Sequence, residues 1–162
     1  MTENGTVCGT PERTASEIVI CDSTVSMDAH QELFRLATER YVLCSDSLMA
    51  CMNDVNGIHT IHLSLLWGSV LKVALWKEDV TISDAIYLLL ASGMNDGDVA
   101  PFRNGNVDDI FPALYYGKNF DVLRKLCNTA RKTAEKRLSG RGPRINCHLV
   151  AEDSCRIVAS SL

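Results

Sequence analysis

The stretch IHTIHLSLLWGSVLKVALW, residues 58–76, is the longest apolar run in the chain and marks the centre of its fold. Polar side chains interrupt it at His59, Thr60, His62, Ser64 and Lys72, among others. A membrane-spanning helix needs ~20 predominantly apolar residues with few or no charges, and this run does not meet that requirement. Apolar side chains would lie on nearly every side of a helix here, as they do in a helix that others surround. We therefore predict a buried central helix over residues 60–77.

Apolar residues three and four positions apart, together with stop signals, predict further helices around this one. They span residues 28–55, 82–92, 107–116 and 120–138. Gly57 ends the first, and Thr81 with Asp84 fits a capping box at the start of the second. Asn106 and Asn119 are the expected caps of the last two. The predicted fold is all-α, a single-domain bundle of about five helices around an apolar central helix.

The two ends of the chain lack this periodicity and are predicted to be extended arms. The segments are a mobile N-terminal arm at 1–25, a helical core domain at 26–140 and a C-terminal tail at 141–162. Short strands are possible at 17–21, 145–151 and 156–159, where apolar or alternating residues occur. The last two could pair with each other or with a neighbouring subunit. Glycines and a proline at 139–143 predict a hinge before the tail.

Composition places the chain among ordinary globular proteins. Its 162 residues are enough for about one domain, and 46% are hydrophobic while 22% are charged. Residues 1–20 show no basic start followed by an apolar run, so no secretory signal is predicted. The seven cysteines form no CxxC pair, which favours free thiols in a reducing compartment. The expected location is therefore the cytoplasm, with a virion as a further intracellular possibility.

Charge is strongly segregated along the sequence. Nine of the sixteen Lys and Arg residues fall within 118–144, where Asp121 and Glu135 are the only acids. The window carries about +7 and the rest of the chain about −11. Such segregation favours an acidic partner, and nucleic acid is the first candidate. The candidate contact residues are Arg124, Lys125, Arg131, Lys132, Lys136, Arg137, Arg141 and Arg144.

Two other interpretations of this basic window remain open. Cations near a helix C-terminus stabilise the helix by roughly 0.3–1 kcal/mol through its dipole, without any ligand. The window could also meet an acidic protein surface. The scarcity of acids favours a ligand, because a merely solvated helix face usually mixes charges of both signs. Phe120, Tyr115 and Tyr116 precede the cations and could stack on RNA bases, although side chains of this type more often lie in a core.

Enzymatic and metal-binding motifs are weak, and we predict a protein that is not an enzyme and uses no metal, cofactor or small-molecule substrate. His59 and His62 are three apart on the predicted central helix, but no HExxH motif or third ligand accompanies them. Cys147 and His148 are adjacent in a possible strand, so they would point to opposite faces. The acidic loop that starts at 95–98 does not have the glycine and the terminal glutamate at the positions that an EF-hand requires.

Two functional hypotheses follow. The first is a self-assembling structural protein, like a coat or nucleocapsid protein, that forms a homo-oligomer and contacts the phosphates of RNA through its basic C-terminal helix. The second is a regulatory or adaptor module that binds a partner's helix in an apolar groove beside Trp67 and Trp76. Neither hypothesis involves a membrane.

Overall fold

The chain folds around a five-stranded mixed sheet and is an α/β protein, so the predicted all-α bundle is wrong. A computed structural model describes residues 16–138 and 142–161. The strands are β1 (Glu17–Cys21), β2 (Tyr41–Leu43), β3 (Thr60–Leu65), β4 (Arg144–Ala151) and β5 (Arg156–Ser160). They lie in the order β2-β1-β3-β4-β5. The first four are parallel, and β5 pairs antiparallel with β4.

Helices connect the parallel strands as crossovers. They are α1 (Thr24–Phe34), α2 (Leu48–Asn53), α3 (Trp67–Leu75), α4 (Ile82–Ala91), α5 (Asp96–Val99), α6 (Ile110–Tyr116) and α7 (Phe120–Arg137). Short 3-10 turns occur at Thr38–Arg40, Ala100–Phe102 and Val107–Asp109. Between β3 and β4 the chain makes one long excursion that contains α3 to α7. None of the helices in the described part of the chain is both long and apolar enough to cross a membrane.

The apolar stretch at 58–76 forms a strand followed by a helix, so the predicted central helix over 60–77 is wrong. Thr60–Leu65 is β3, the middle strand of the sheet, and Leu66 is the N-cap of α3. A parallel strand packed on both faces is as apolar as a buried helix, and periodicity does not separate the two. Trp76, at φ 55°, ends α3 in the left-handed region.

The predicted helix over 28–55 is also wrong, because three elements share that segment. Arg35 adopts φ 57° and ends α1, with its backbone N–H donating to the carbonyl of Gln31. The chain then turns through Thr38–Arg40 into β2 and on to α2. The apolar residues three and four apart belong to separate elements, and only part of them is buried: Leu33 in α1 is 61% exposed, whereas Leu48 and Met52 in α2 lie in the core.

The helices predicted at 82–92 and 120–138 and all three possible strands are confirmed within one or two residues, whereas the helix predicted at 107–116 begins as a 3-10 turn and is α-helical only from Ile110. At the start of α4, Thr81 and Asp84 form the predicted capping box. Asn119 precedes α7, but its side chain makes no capping hydrogen bond. The two C-terminal strands pair with each other. The sheet thus takes β1 from the predicted arm at 1–25, and β4 and β5 from the predicted tail at 141–162. Most of the predicted arm and hinge, residues 1–15 and 139–141, lies outside the described residues.

The two faces of the sheet differ in character. Alternate residues of β3 and β4, including Leu63 and Cys147, are buried against α3 and α7 in the main core. The other face carries His62, Ser64 and His148 and is covered by α1. This second face is polar because the strands alternate, and it brings together side chains from distant parts of the sequence.

Candidate functional sites

The predicted basic helix exists as α7 and is anchored as expected. Its apolar stripe is fully buried against the sheet and α3. The stripe comprises Leu123, Leu126, Cys127, Ala130 and Ala134. The helix carries six cations and two acids, and Asp121 in the first turn with Lys136 and Arg137 in the last turn matches the helix dipole.

Three of these cations form a row on the exposed side of α7. Lys125, Lys132 and Lys136 are all exposed, and their helical positions lie within about 40° of one another. The row, from Lys125 to Lys136, extends about 16 Å along the helix axis. Among the described residues, none of the three lysines forms an ion pair. We call these three residues the lysine row.

The two acids of α7 neutralise part of its charge, which corrects the expectation that its exposed face lacks acids. Arg124 pairs with Asp121 at 2.5 Å, and Arg131 pairs with Glu135 at 3.1 Å. The Arg124 pair is solvent-exposed, so it contributes little stability and screens one cation from a ligand. The free positive charge is therefore concentrated on the lysine row.

The other candidate contact residues do not join the row. Arg137 is exposed but lies about 140° around the helix from Lys132. Arg144 is the first residue of β4. Its neighbour Ile145 is buried on the face that packs against α7, so Arg144 lies on the opposite face of the sheet. Arg141 lies outside the described residues.

Aromatic side chains at the start of α7 are more exposed than a core role requires. Tyr116 is 71% exposed and Phe120 is 46% exposed. Tyr115, half-buried between them, makes edge contacts to both rings, at centroid distances of 5.2 and 5.8 Å. The cluster provides flat apolar surface beside the cations of the helix.

A cleft of about 670 Å³ opens at the carboxyl ends of β1, β3 and β4. In doubly wound sheets ligands bind at this edge, where the chain order reverses. Trp67 and Phe111 form an apolar wall, with their rings 5.9 Å apart, while Asp22, Glu152 and Asp153 add acidic groups. The groove expected beside Trp67 is therefore present, but Trp76 does not line it.

The half-buried Asp22 of this cleft already has structural partners. One oxygen of Asp22 accepts a hydrogen bond from the Ser26 hydroxyl at 2.6 Å, and the other accepts from the Leu66 backbone N–H at 2.9 Å. Asp22 thus links β1 to the start of α1 and of α3. Trp67 is held in place similarly, since its Nε1 donates to the Val107 carbonyl at 2.9 Å.

Three histidines meet on the polar face of the sheet beneath α1. His30 comes from α1, His62 from β3 and His148 from β4, and one ring nitrogen of each lies within 4.8 Å of those of the other two. His30 and His148 are 1% and 0% exposed. Phe34 stacks on His30 with ring centroids 4.4 Å apart and covers the cluster. We call these three residues the histidine cluster.

Polar neighbours hold one nitrogen of each imidazole. His30 Nδ1 lies 2.8 Å from the Tyr41 hydroxyl, and His148 Nδ1 lies 2.7 Å from the Ser160 hydroxyl. His62 Nε2 lies 2.5 Å from Glu17 Oε2, and its Nδ1 is 3.3 Å from the Asn146 amide nitrogen. Within the described part of the chain, the Nε2 atoms of His30 and His148 are buried with no hydrogen-bond partner.

Burial keeps the imidazoles of His30 and His148 uncharged. Desolvation, with Coulombic repulsion from His148 and His62, lowers the pKa of His30 to about 3. Desolvation and the proximity of His62 lower the pKa of His148 to about 4. Both are therefore neutral at pH 7, which is the form of imidazole that binds metal ions.

This cluster was not predicted from the sequence, because His62 was expected on a helix together with His59. In the structure His62 lies in β3 and the exposed His59 precedes it, so the two do not converge. Alternation of polar residues at 60, 62 and 64 was the available signal. The prediction for Cys147 and His148 is confirmed: Cys147 lies in the main core, where a hydrogen bond with Cys127 and burial raise its pKa well above 9.

Comparisons with models of known protein families, with curated proteins and with solved structures found no match to this chain.

Proposed function

We propose that the protein binds the phosphate backbone of nucleic acid, RNA in preference to DNA, through the lysine row of α7. The observation that carries this proposal is the absence of ion pairs, within the described residues, at three aligned and exposed lysines. Flexible ammonium groups spaced along about 16 Å match a chain of phosphates better than a single anion. Their charge contrasts with a formal net charge of −4 for the whole protein.

The exposed aromatic cluster favours single-stranded RNA as the ligand. Tyr116 ends α6 and Phe120 begins α7, so both exposed rings lie near the N-terminal end of the helix that carries the lysine row. Unpaired bases stack on such rings, and stacking contributes about 1–3 kcal/mol per base. A duplex hides its base faces and would gain only the phosphate contacts. We therefore expect weak sequence specificity and a preference for unpaired strands.

Self-association remains part of the proposal, with a coat- or nucleocapsid-like role as its most specific form. The strand β2 lies at the edge of the sheet, and its residues Val42 and Leu43 are 37% and 47% exposed. An exposed apolar edge strand is a surface that readily pairs with another chain. The C-terminal strand β5 pairs with β4 and forms the opposite edge of the sheet.

Charge reversal of the lysine row tests RNA binding. Fluorescence anisotropy with a labelled single-stranded RNA should show binding that weakens with salt, and the triple variant Lys125→Glu, Lys132→Glu, Lys136→Glu should lose it. Each lost phosphate contact lowers the log–log salt slope by about 0.7, so the slope should become shallower by about 2. Circular dichroism checks that the variant is folded.

A matched control separates local contacts from net charge. Arg35, Arg103 and Arg156 are exposed cations outside α7, so changing all three to Glu alters the net charge equally. This control should retain most of the RNA affinity. Equal losses in both variants would reduce the effect to overall charge, and an unchanged affinity in the lysine-row variant would overturn the proposal.

The cleft beside Trp67 favours a second candidate function, the binding of a partner protein's helix. Its apolar wall of Trp67, Phe111 and Val80 would take the apolar face of that helix. Because Glu152 and Asp153 lie at the same cleft, the partner should be basic there and not acidic. Substitution of Phe111 by Glu should abolish partner binding and leave RNA affinity unchanged, as measured by the same anisotropy assay.

A further inference from the structure

We propose that His30, His62 and His148 bind one divalent transition-metal ion, with Zn²⁺ as the best-matched ion. The site lies on the opposite face of the sheet from α7, so the proposal is independent of RNA binding. It joins three side chains that are far apart in sequence, from a helix and two neighbouring strands.

The strongest support is the pair of buried nitrogens that lack a partner. His30 Nε2 and His148 Nε2 have no hydrogen bond within the described residues, although both side chains are fully buried. Native proteins rarely leave buried polar atoms in this state, and a bound ion is one of the standard explanations. A metal ion would use both lone pairs at once. Two unrelated packing defects would not place such atoms beside each other and beside a third imidazole.

The neighbours of the two rings are compatible with the tautomer that a metal requires. The hydroxyls of Tyr41 and Ser160 lie at hydrogen-bond distance from Nδ1 of His30 and of His148. When each Nδ1–H donates to its hydroxyl oxygen, the lone pair of each Nε2 is free. Metal-binding histidines almost always donate their second ring N–H in this way.

The third histidine has the partner that is typical of a metal ligand. Glu17 Oε2 accepts from His62 Nε2–H, which gives the carboxylate–histidine arrangement found around zinc. His62 Nδ1 then supplies the third nitrogen in exchange for its 3.3 Å hydrogen bond from the Asn146 amide. Asn146 is half-buried at the sheet surface, so its side chain has room to rotate away.

The spacing of the cluster is compatible with coordination after small side-chain rotations. Ligand nitrogens about 2.0–2.1 Å from a tetrahedral zinc lie about 3.4 Å from one another, and the cluster already brings them within 4.8 Å. An all-imidazole set suits Zn²⁺, Cu²⁺, Ni²⁺ and Co²⁺ better than Mg²⁺ or Ca²⁺, which prefer oxygen. Three protein ligands leave a fourth position for water or a substrate, as in catalytic zinc sites.

A metal ion would reach the site past three partly exposed side chains. The His62 side chain is 14% exposed, Glu17 is 33% exposed and Phe34 is 39% exposed, while the rest of the cluster is enclosed. An ion thus enters beside His62 without opening of the main core, which lies on the other face of the sheet.

Metal titration of the whole chain tests the site directly. After dialysis against EDTA, isothermal titration with Zn²⁺ should show one equivalent bound, and Co²⁺ should give the visible absorption of a tetrahedral complex. The variants His62→Gln and His148→Gln should lose at least about 100-fold in affinity, more than the 10–100-fold typical of an outer-shell partner. The control is His59→Gln, which removes an exposed histidine outside the cluster and should bind as the wild type does.

If a substitution at a buried histidine prevents folding, variants of the residues that contact the histidines still test the site. Tyr41→Phe and Glu17→Gln change no ligand and lie at partly exposed positions, and each should weaken Zn²⁺ binding by about 10–100-fold. Their circular dichroism spectra should match the wild type. The absence of a one-to-one complex in the folded wild type would overturn the proposal, as would equal Zn²⁺ affinities in His62→Gln and His59→Gln.

Discussion

Burial holds two histidine side chains in their neutral form, and this makes folding sensitive to acid. An unfolded chain titrates His30 and His148 near 6.5, whereas the folded protein has lowered pKa values of about 3 and about 4 there. Above pH 6.5 both states are neutral, so the two residues add no pH dependence. Below it the unfolded chain takes up protons that the folded chain refuses, and stability falls as the pH drops toward 4.

The first prediction uses the variant His148→Gln, which cannot titrate. Wild type should lose about 2–3 kcal/mol more unfolding free energy between pH 7 and pH 4 than the variant, because one pKa unit corresponds to about 1.4 kcal/mol. Urea unfolding in EDTA at a series of pH values measures this without a contribution from metal. Identical pH profiles for the two proteins would mean that His148 is not held neutral by its surroundings.

Contacts between side chains that are far apart in the sequence could not be predicted from the sequence alone. The sequence contains the three histidines of the proposed metal site, but successive members, His30, His62 and His148, are 32 and 86 positions apart. Only the parallel pairing of β3 with β4 and the crossover through α1 bring them together. The cations of α7 were easier to predict because one helix carries them all, yet their ion pairs with Asp121 and Glu135 depend on rotamers.

Elements with a local start signal were predicted well, and elements defined by burial were not. The capping box at Thr81 lies in the sequence itself, so α4 was found. The caps expected at Asn106 and Asn119 are wrong, because neither side chain makes a capping hydrogen bond and Asn106 precedes a 3-10 turn. Where an apolar run is buried on all sides, its residues fit a parallel strand and a helix equally. The stretch at 58–76 contains one strand and one helix. At the junction between them the Leu66 N–H donates a hydrogen bond to Asp22, which lies 44 residues earlier in the sequence.

The second prediction concerns the capping box of α4. Thr81 accepts a hydrogen bond from the Asp84 N–H, and Asp84 accepts one from the Thr81 N–H. Replacing Thr81 by Ala removes the first bond and should lower the free energy of unfolding by about 1 kcal/mol. Urea denaturation measures the change. Ser83→Ala alters an exposed hydroxyl in the same turn and should shift the midpoint little; similar shifts for both variants would contradict the capping role.

On the scale of the whole molecule, the sheet unites segments that looked peripheral in the sequence. β1 and β4 flank the central strand β3, so residues near both ends of the chain form the middle of the fold. Their apolar runs are short, and nothing local indicates that they are neighbours. A cooperative core built this way should protect side chains from all parts of the chain together until the protein unfolds globally.

The third prediction tests that topology with the thiols. Cys21 lies in β1, Cys127 in α7 and Cys147 in β4, and all three are 0% exposed. Burial and the nearby Asp22 raise the pKa of Cys21 to about 12. A hydrogen bond with Cys127 and burial raise the pKa of Cys147 well above 9, so thiolate is scarce at both residues. In native buffer, alkylation by iodoacetamide followed by peptide mass spectrometry should label Cys155, which is partly exposed, well before these three. In urea all four should react at similar rates, and the three buried thiols should become reactive at the same urea concentration because one opening exposes them all. If Cys147 were labelled in native buffer as fast as Cys155, the C-terminal strand would not occupy the interior position that the sheet assigns to it.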